Sequence, residues 1–101
     1  MIIVRLADGN RYSTGRVELY NSTWGTVCEH FWSLNDANVV CRQLGFDKAV
    51  VSRKAAFFGQ GEGPIWLDNL LCTGDEANLF ACNNSKVNCN HSEDVGVECE
   101  G

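Results

Sequence analysis

Six cysteines, Cys28, Cys41, Cys72, Cys82, Cys89 and Cys99, are the residues of this chain best equipped for covalent or metal chemistry. Thiolates hold zinc when they come as closely spaced pairs, usually completed by histidine. No Cys-x-x-Cys pair is present, and only His30 and His91 could serve as imidazole ligands. A disulfide framework is the better account, because an even set of cysteines in a short chain is the pattern of an oxidising compartment. Spacing alone leaves every pairing of the six open. Three N-x-[ST] sequons, at Asn21, Asn83 and Asn90, fit the same compartment as candidate glycosylation sites. The segment Met1-Ile2-Ile3-Val4-Arg5 is too short, and too soon interrupted by charge, to be a signal peptide.

Nucleophilic catalysis needs a base within reach of the nucleophile and a group to orient it. The cysteines are taken up by bridges, and no Gly-x-Ser-x-Gly elbow exists. His91, Ser92 and Glu93 are neighbours in sequence, and adjacent loop residues rarely converge on one point. The chain is therefore expected not to be an enzyme. A net charge of -5 offers no basic stripe for phosphates, which argues against nucleic acid and against attraction to anionic membranes. No apolar run is long enough to insert into a bilayer.

The elements that must position these residues belong to one domain of 101 residues, with residues 4–99 as its body and 1–3 and 100–101 as flanks or linker. At 45% hydrophobic and 21% charged, the composition is that of a folded globular chain. Val17 and Leu19 alternate with Arg16, Glu18 and Tyr20, which predicts a half-buried strand. Asn21-Ser22-Thr23 turns the chain, and residues 24–27 resume a strand to complete a hairpin. Ser33 is placed to cap a helix carrying Ala37, Val40, Cys41 and Leu44 on one face, and Gly45 to end it. Residues 56–64, with three glycines and the only proline, predict a loop, and 65–71 a strand. Thr73-Gly74-Asp75-Glu76 reads as a capping box opening a short second helix through residue 81. Residues 83–91 read as polar loop, and Val95, Val97 and Cys99 as a closing strand. The class is small α+β, mostly β.

Several stretches, in order, resemble scavenger receptor cysteine-rich domains. They are Gly15-Arg16-Val17-Glu18-Leu19-Tyr20 with Trp24-Gly25-Thr26-Val27-Cys28, and Ala37-Asn38-Val39-Val40-Cys41-Arg42-Gln43-Leu44-Gly45. Gly63-Pro64-Ile65-Trp66-Leu67-Asp68-Asn69, Cys72-Thr73-Gly74-Asp75-Glu76 and Glu93-Asp94-Val95-Gly96-Val97-Glu98-Cys99 complete the pattern. The resemblance covers nearly the whole chain, and six cysteines match the family's group A. It implies a curved antiparallel sheet cradling one α-helix, with bridges Cys28–Cys89, Cys41–Cys99 and Cys72–Cys82. It also implies an extracellular location, either secreted or as part of a membrane protein.

The same resemblance implies candidate Ca²⁺ ligands, since Ca²⁺ takes six to eight oxygens from converging carboxylates and amides. One cluster matches Glu29 and Glu93, with His30 where the family has an aspartate. A second matches Asp68 and Asn88, with Glu76 near it and Ser33 in place of another acid. The alternative role for Asp68 and Asn88 is to satisfy loop backbone groups. Residues 17–24 resemble a stretch implicated in bacterial-surface recognition, and they double as the hairpin's core. Arg5, Arg11, Arg16, Arg42, Arg53 and Lys54 are candidates for a cationic patch, with Arg53-Lys54 the best clustered. Phe57 and Phe58, adjacent in a glycine-rich loop, cannot both point inward, so one is expected at the surface. Two functions follow. The first is a non-catalytic recognition module for a protein, microbial-surface or polyanionic ligand, with Ca²⁺ as a candidate cofactor. The second is an accessory domain that packs on a neighbouring domain or on another copy.

Overall fold

The structure is a computed structural model describing residues 3–100; Met1, Ile2 and Gly101, part of the expected flanks, lie outside the described residues. Alternation of apolar and polar residues builds β1 (Ile3–Asp8), β2 (Thr14–Tyr20) and β3 (Trp24–Val27). Helix α1 (Leu34–Gln43) follows, then β4 (Lys48–Arg53), β5 (Ile65–Leu71), the three-residue β6 (Asn83–Ser85) and β7 (Gly96–Glu100). The sheet runs β4-β7-β2-β3-β5-β6, with β1 paired to β2. Pairing is antiparallel except between β3 and β5.

The period-two pattern gives the sheet two unlike faces. Val17, Leu19 and Val97 point inward with Val27, Val40 and Leu70, and all six are fully buried. Helix α1 closes this face by packing on β4 and β7. Arg16, Glu18 and Glu98, at the alternate positions, lie on the other side of the sheet. Gly45, with φ of 93°, follows the helix in the left-handed conformation that glycine enters without strain. At the front of α1, Asp36 accepts hydrogen bonds from the Ser33 N–H (2.8 Å) and hydroxyl (2.9 Å). Its other oxygen accepts from the Cys72 N–H at 2.9 Å, tying the helix to the end of β5.

Three disulfides join Cys28 to Cys89, Cys41 to Cys99 and Cys72 to Cys82, the pairing implied by the resemblance. The first two span 61 and 58 residues, the third 10. The hairpin, α1, β5 and β7 stand where the sequence predicts them, and β1, β4 and β6 come in addition. Pairing also takes in Ile3 and Glu100, at the edges of the expected domain.

The expected second helix is reduced to a single 3-10 turn, Leu79–Ala81. The Glu76 carboxylate does turn back onto the Thr73 and Gly74 N–H groups, at 2.9 and 3.0 Å. Arg42, from α1, however, donates to the carbonyls of Gly74 and Glu76, which a helix would need for its own ladder. Gly74, at φ of 111°, lies outside helical space. A second 3-10 turn, His91–Glu93, closes the polar loop before β7.

Candidate functional site

The register of β1 against β2 sets Arg5 opposite Glu18, and the guanidinium meets that carboxylate at 2.8 Å. Two residues back along β2, Arg16 donates from Nε to the other Glu18 oxygen at 2.9 Å and from Nη2 to Asp8 at 2.7 Å. Arg16 and Glu18 are each only 6% exposed. Burial alone would lower the Arg16 pKa, but its bonds to Asp8 and Glu18 outweigh that and raise it above the ordinary value. Farther across the sheet, Arg53 on β4 pairs with Glu98 on β7 at 2.6 Å. The outer face is thus a ladder of three arginines and three carboxylates.

An aromatic ring stands at each end of the ladder. The Arg5 guanidinium lies 3.9 Å from the centre of the Trp24 ring, and that of Arg53 lies 4.1 Å from the centre of Phe57. Such stacking holds a flexible side chain in one pose and leaves its charge at the surface. The loop of residues 54–64 crosses the face between the two pairs. Gly96 lets Phe58 lie flat on the sheet, because a Cβ there would come 2.4 Å from the ring. Arg16 donates to the Phe58 and Gly59 carbonyls at 3.4 and 3.1 Å, and Asp94 accepts from the Gly61 N–H at 2.7 Å. A cavity of about 520 Å³ opens on the Arg5–Trp24 side of this strap, and one of about 590 Å³ on the Phe57 side.

The sequence therefore identifies Arg53, Phe57 and Phe58 as surface candidates, but the arrangement differs from a cationic patch. Arg53 is neutralised by Glu98, Phe57 is exposed, and Phe58 is half-buried against its partner ring, 4.9 Å away. Lys54 is exposed at the start of the strap. Arg42 is committed to the carbonyls already described. Arg5 was marked only as a member of a cationic patch and Glu18 and Trp24 only as part of residues 17–24, while Glu98 was not marked at all. The signal that marks them is the placing of charges two residues apart along strands whose intervening residues are apolar.

Of the candidate metal ligands, Asp68 and Glu93 come together, and they do so on His30. Its Nδ1 lies 2.9 and 3.0 Å from the two Asp68 oxygens and its Nε2 lies 3.5 Å from Glu93. A carboxylate accepts, so His30 Nδ1 donates to Asp68, and a proton on Nε2 would add a charged contact to Glu93. The hydrogen bond to Asp68 raises the His30 pKa. Burial works to raise Asp68, but His30 and the backbone N–H groups of Asn88 and Asn69 bring it below the ordinary value. Asn88 enters through its backbone N–H, at 3.1 Å from Asp68. Glu29 accepts from the Ala55 N–H at 2.8 Å, and Glu76 is spent on its own turn. Among the described residues, each set of three ligand-type side chains that converges includes a bridged cysteine. One imidazole and two carboxylates fall short of the six to eight oxygens that a hard divalent cation seeks.

The three sequon asparagines are exposed, Asn21 in the β2–β3 turn, Asn83 in β6 and Asn90 ahead of the second 3-10 turn. No helix among the described residues is long and apolar enough to cross a membrane.

The family model of the scavenger receptor cysteine-rich domain matches residues 7–100. Galectin-3-binding protein from Pongo abelii is 52% identical over an aligned length of 100, which covers 95% of this chain and 17% of that protein. The chain thus spans about a sixth of that relative's length. The third SRCR domain of murine neurotrypsin superposes with a TM-score of 0.92 at 44% identity, over 100% of this chain and 98% of that one. The SRCR domain of mouse MARCO, in a dimeric form, superposes with a TM-score of 0.79 at 42% identity, over 96% and 94% of the two chains.

Proposed function

Since this chain belongs to the scavenger receptor cysteine-rich family, in its six-cysteine group A form, we propose that it is an extracellular, non-catalytic module that binds a protein ligand on the outer face of the sheet. The observation that carries this reading is the pair of arginine–aromatic stacks, Arg5 on Trp24 and Arg53 on Phe57, at the two ends of one ion-pair ladder. Tryptophan and arginine are enriched among the residues that dominate binding energy at protein interfaces. Here they are held in place by a rigid sheet before a ligand arrives, which reduces the ordering cost of association.

The ladder is charge-balanced, and balance favours a protein over a polyanion or an acidic microbial surface. A sulfated polymer would gain from Arg5, Arg16 and Arg53 only by displacing Glu18, Asp8 and Glu98. None of the candidate calcium ligands belongs to the ladder, so binding on this face is read as independent of calcium. Three disulfides and three exposed sequons support the extracellular setting and glycosylation at Asn21, Asn83 and Asn90.

The test uses galectin-3 as probe, the protein that the relative's name says it binds. Surface plasmon resonance with the unglycosylated, oxidised chain and EDTA in the buffer should give saturable binding. Arg5→Ala and Phe57→Ala should each weaken it about 30-fold, the size of a truncated interface anchor. Unchanged affinity in both variants would place the ligand off this face. Saturable binding of dextran sulfate with no binding of galectin-3 would overturn the protein reading.

A further inference from the structure

Beyond the outer face, the link between β1 and β2 carries Tyr12, the most exposed of the large apolar side chains at 86%. Its only ring partner among the described residues is Phe46, which follows α1, with centroids 5.7 Å apart. The two rings form a ridge with a hollow on either side. One hollow, of about 460 Å³, is walled by Leu6, Leu44 and Gly45. The other, of about 370 Å³, is walled by Ser13, Val50 and the Cys99–Glu100 segment. An aromatic ridge beside a hollow walled by Leu6, Leu44 and Gly45 offers a shape that a second copy of the ridge can enter.

The charges around the ridge follow the same pattern. Arg11 immediately precedes Tyr12, and Asp47 immediately follows Phe46. Both are exposed, and neither has an ion pair among the described residues. Their charged neighbours are already matched, Lys48 with Glu100 at 3.5 Å, Asp8 with Arg16 and Glu98 with Arg53. One cation and one anion without ion-pair partners among the described residues thus flank the ridge, so a second copy brings the opposite charge to each. None of the sequon asparagines lines either hollow.

We propose that this chain self-associates into a two-fold dimer in which each Tyr12–Phe46 ridge enters a hollow of the other copy and Arg11 pairs with Asp47 across the dyad. A two-fold interface must be self-complementary in shape and charge, and a ridge beside hollows, flanked by one cation and one anion without ion-pair partners among the described residues, supplies both kinds of feature. The contact is small, so the dimer forms weakly, with dissociation on the order of 100 µM. The inference goes beyond the ligand-binding reading: it uses a different surface and other residues, and either can fail without the other.

Sedimentation velocity of the 101-residue chain, from about 10 µM to 1 mM, tests it. The weight-average sedimentation coefficient should rise with concentration. Arg11→Asp and Asp47→Arg should each leave the chain monomeric at the highest concentration, since each sets like charges against one another. The double exchange, Arg11→Asp with Asp47→Arg, should restore association. Neither side chain has an ion pair to lose, so all variants should melt alike, and any loss of association is read on a folded chain. Asp47→Arg also lowers the chain's net negative charge. Stronger association in that variant would show that overall repulsion governs the equilibrium, and would overturn the proposal. So would a monomeric wild type across the range, or a double variant that stays monomeric.

Discussion

Truncating Arg16 to alanine removes four contacts at once: Glu18, Asp8 and the carbonyls of Phe58 and Gly59. Breaking a buried ion pair by deleting one partner costs about 3–5 kcal/mol, because the other charge is left without compensation. Glu18 keeps Arg5 at 2.8 Å, and the two loop carbonyls can turn to water. Both facts pull the expected cost down to about 2–3 kcal/mol. For a domain of this size that is a fall in melting temperature of roughly 10–20 °C, readable by tryptophan fluorescence. Arg16→Lys keeps the charge but not the planar fork, and one ammonium cannot reach all four acceptors, so it should recover only part of the loss. Hydrogen exchange separates the local effect from the global one. In Arg16→Ala the amide of Gly59 should exchange faster under native conditions, while that of Gly61 stays protected by Asp94. A change within about 0.5 kcal/mol of wild type, with the strap's protection unaltered, would refute the view that Arg16 fastens the loop.

Asp36→Ala leaves the buried N–H of Cys72 without an acceptor and undoes the Ser33 cap, so urea denaturation should show a loss of about 2–4 kcal/mol. Replacing Cys41 and Cys99 by alanine should cost about 4 kcal/mol and replacing Cys72 and Cys82 about 3 kcal/mol, on the chain-entropy argument for long and short loops. Thermal melts of the two double variants give the order directly. The His30–Asp68 pair adds a pH term. His30 is raised, so its share is fully present below about pH 6.5, the unfolded value, and is lost as pH climbs through the higher folded value. Asp68 is lowered, so its share is present above its unfolded value and is lost as pH falls through the lower folded one. Stability should therefore fall on the alkaline side of this window in wild type but not in His30→Gln, and NMR titration of the His30 ring should place the midpoint above 6.5.

The hairpin, α1 and β5 were legible because each carries its own local signal. Val17 and Leu19 set the strand, Ser33 and Gly45 bound the helix, and glycines and a proline precede Ile65. The bridges needed the resemblance, since spacing alone did not choose among pairings. Strand β6 was hidden because Asn83-Asn84-Ser85 has no apolar alternation, and it is a strand only through its bonds to β5. The failed second helix had a genuine capping signal at Thr73 and Glu76. What overrode it was Arg42, more than thirty positions earlier, whose reach depends on how α1 lies. For the same reason the candidate site was half visible. Arg53, Phe57, Asp68 and Glu93 could be marked one by one, but their partners come from other strands. Glu18 meets Arg5 through strand register, and His30 reaches both Asp68 and Glu93 only where three separate segments meet.

The pairing of β2 with β7 sets Gly15 beside Val97. During synthesis, the hairpin and helix must therefore wait for β7 before the sheet can close over them. Each thiol is open to oxidation until its partner is made, and Cys28 and Cys41 emerge first and near each other. Their correct partners, Cys89 and Cys99, arrive last. Early oxidation would favour joining neighbours, and the native set is chosen only once β7 has been made and wrong bridges reshuffle. A cell producing this module thus relies on an exchange catalyst as much as on an oxidant.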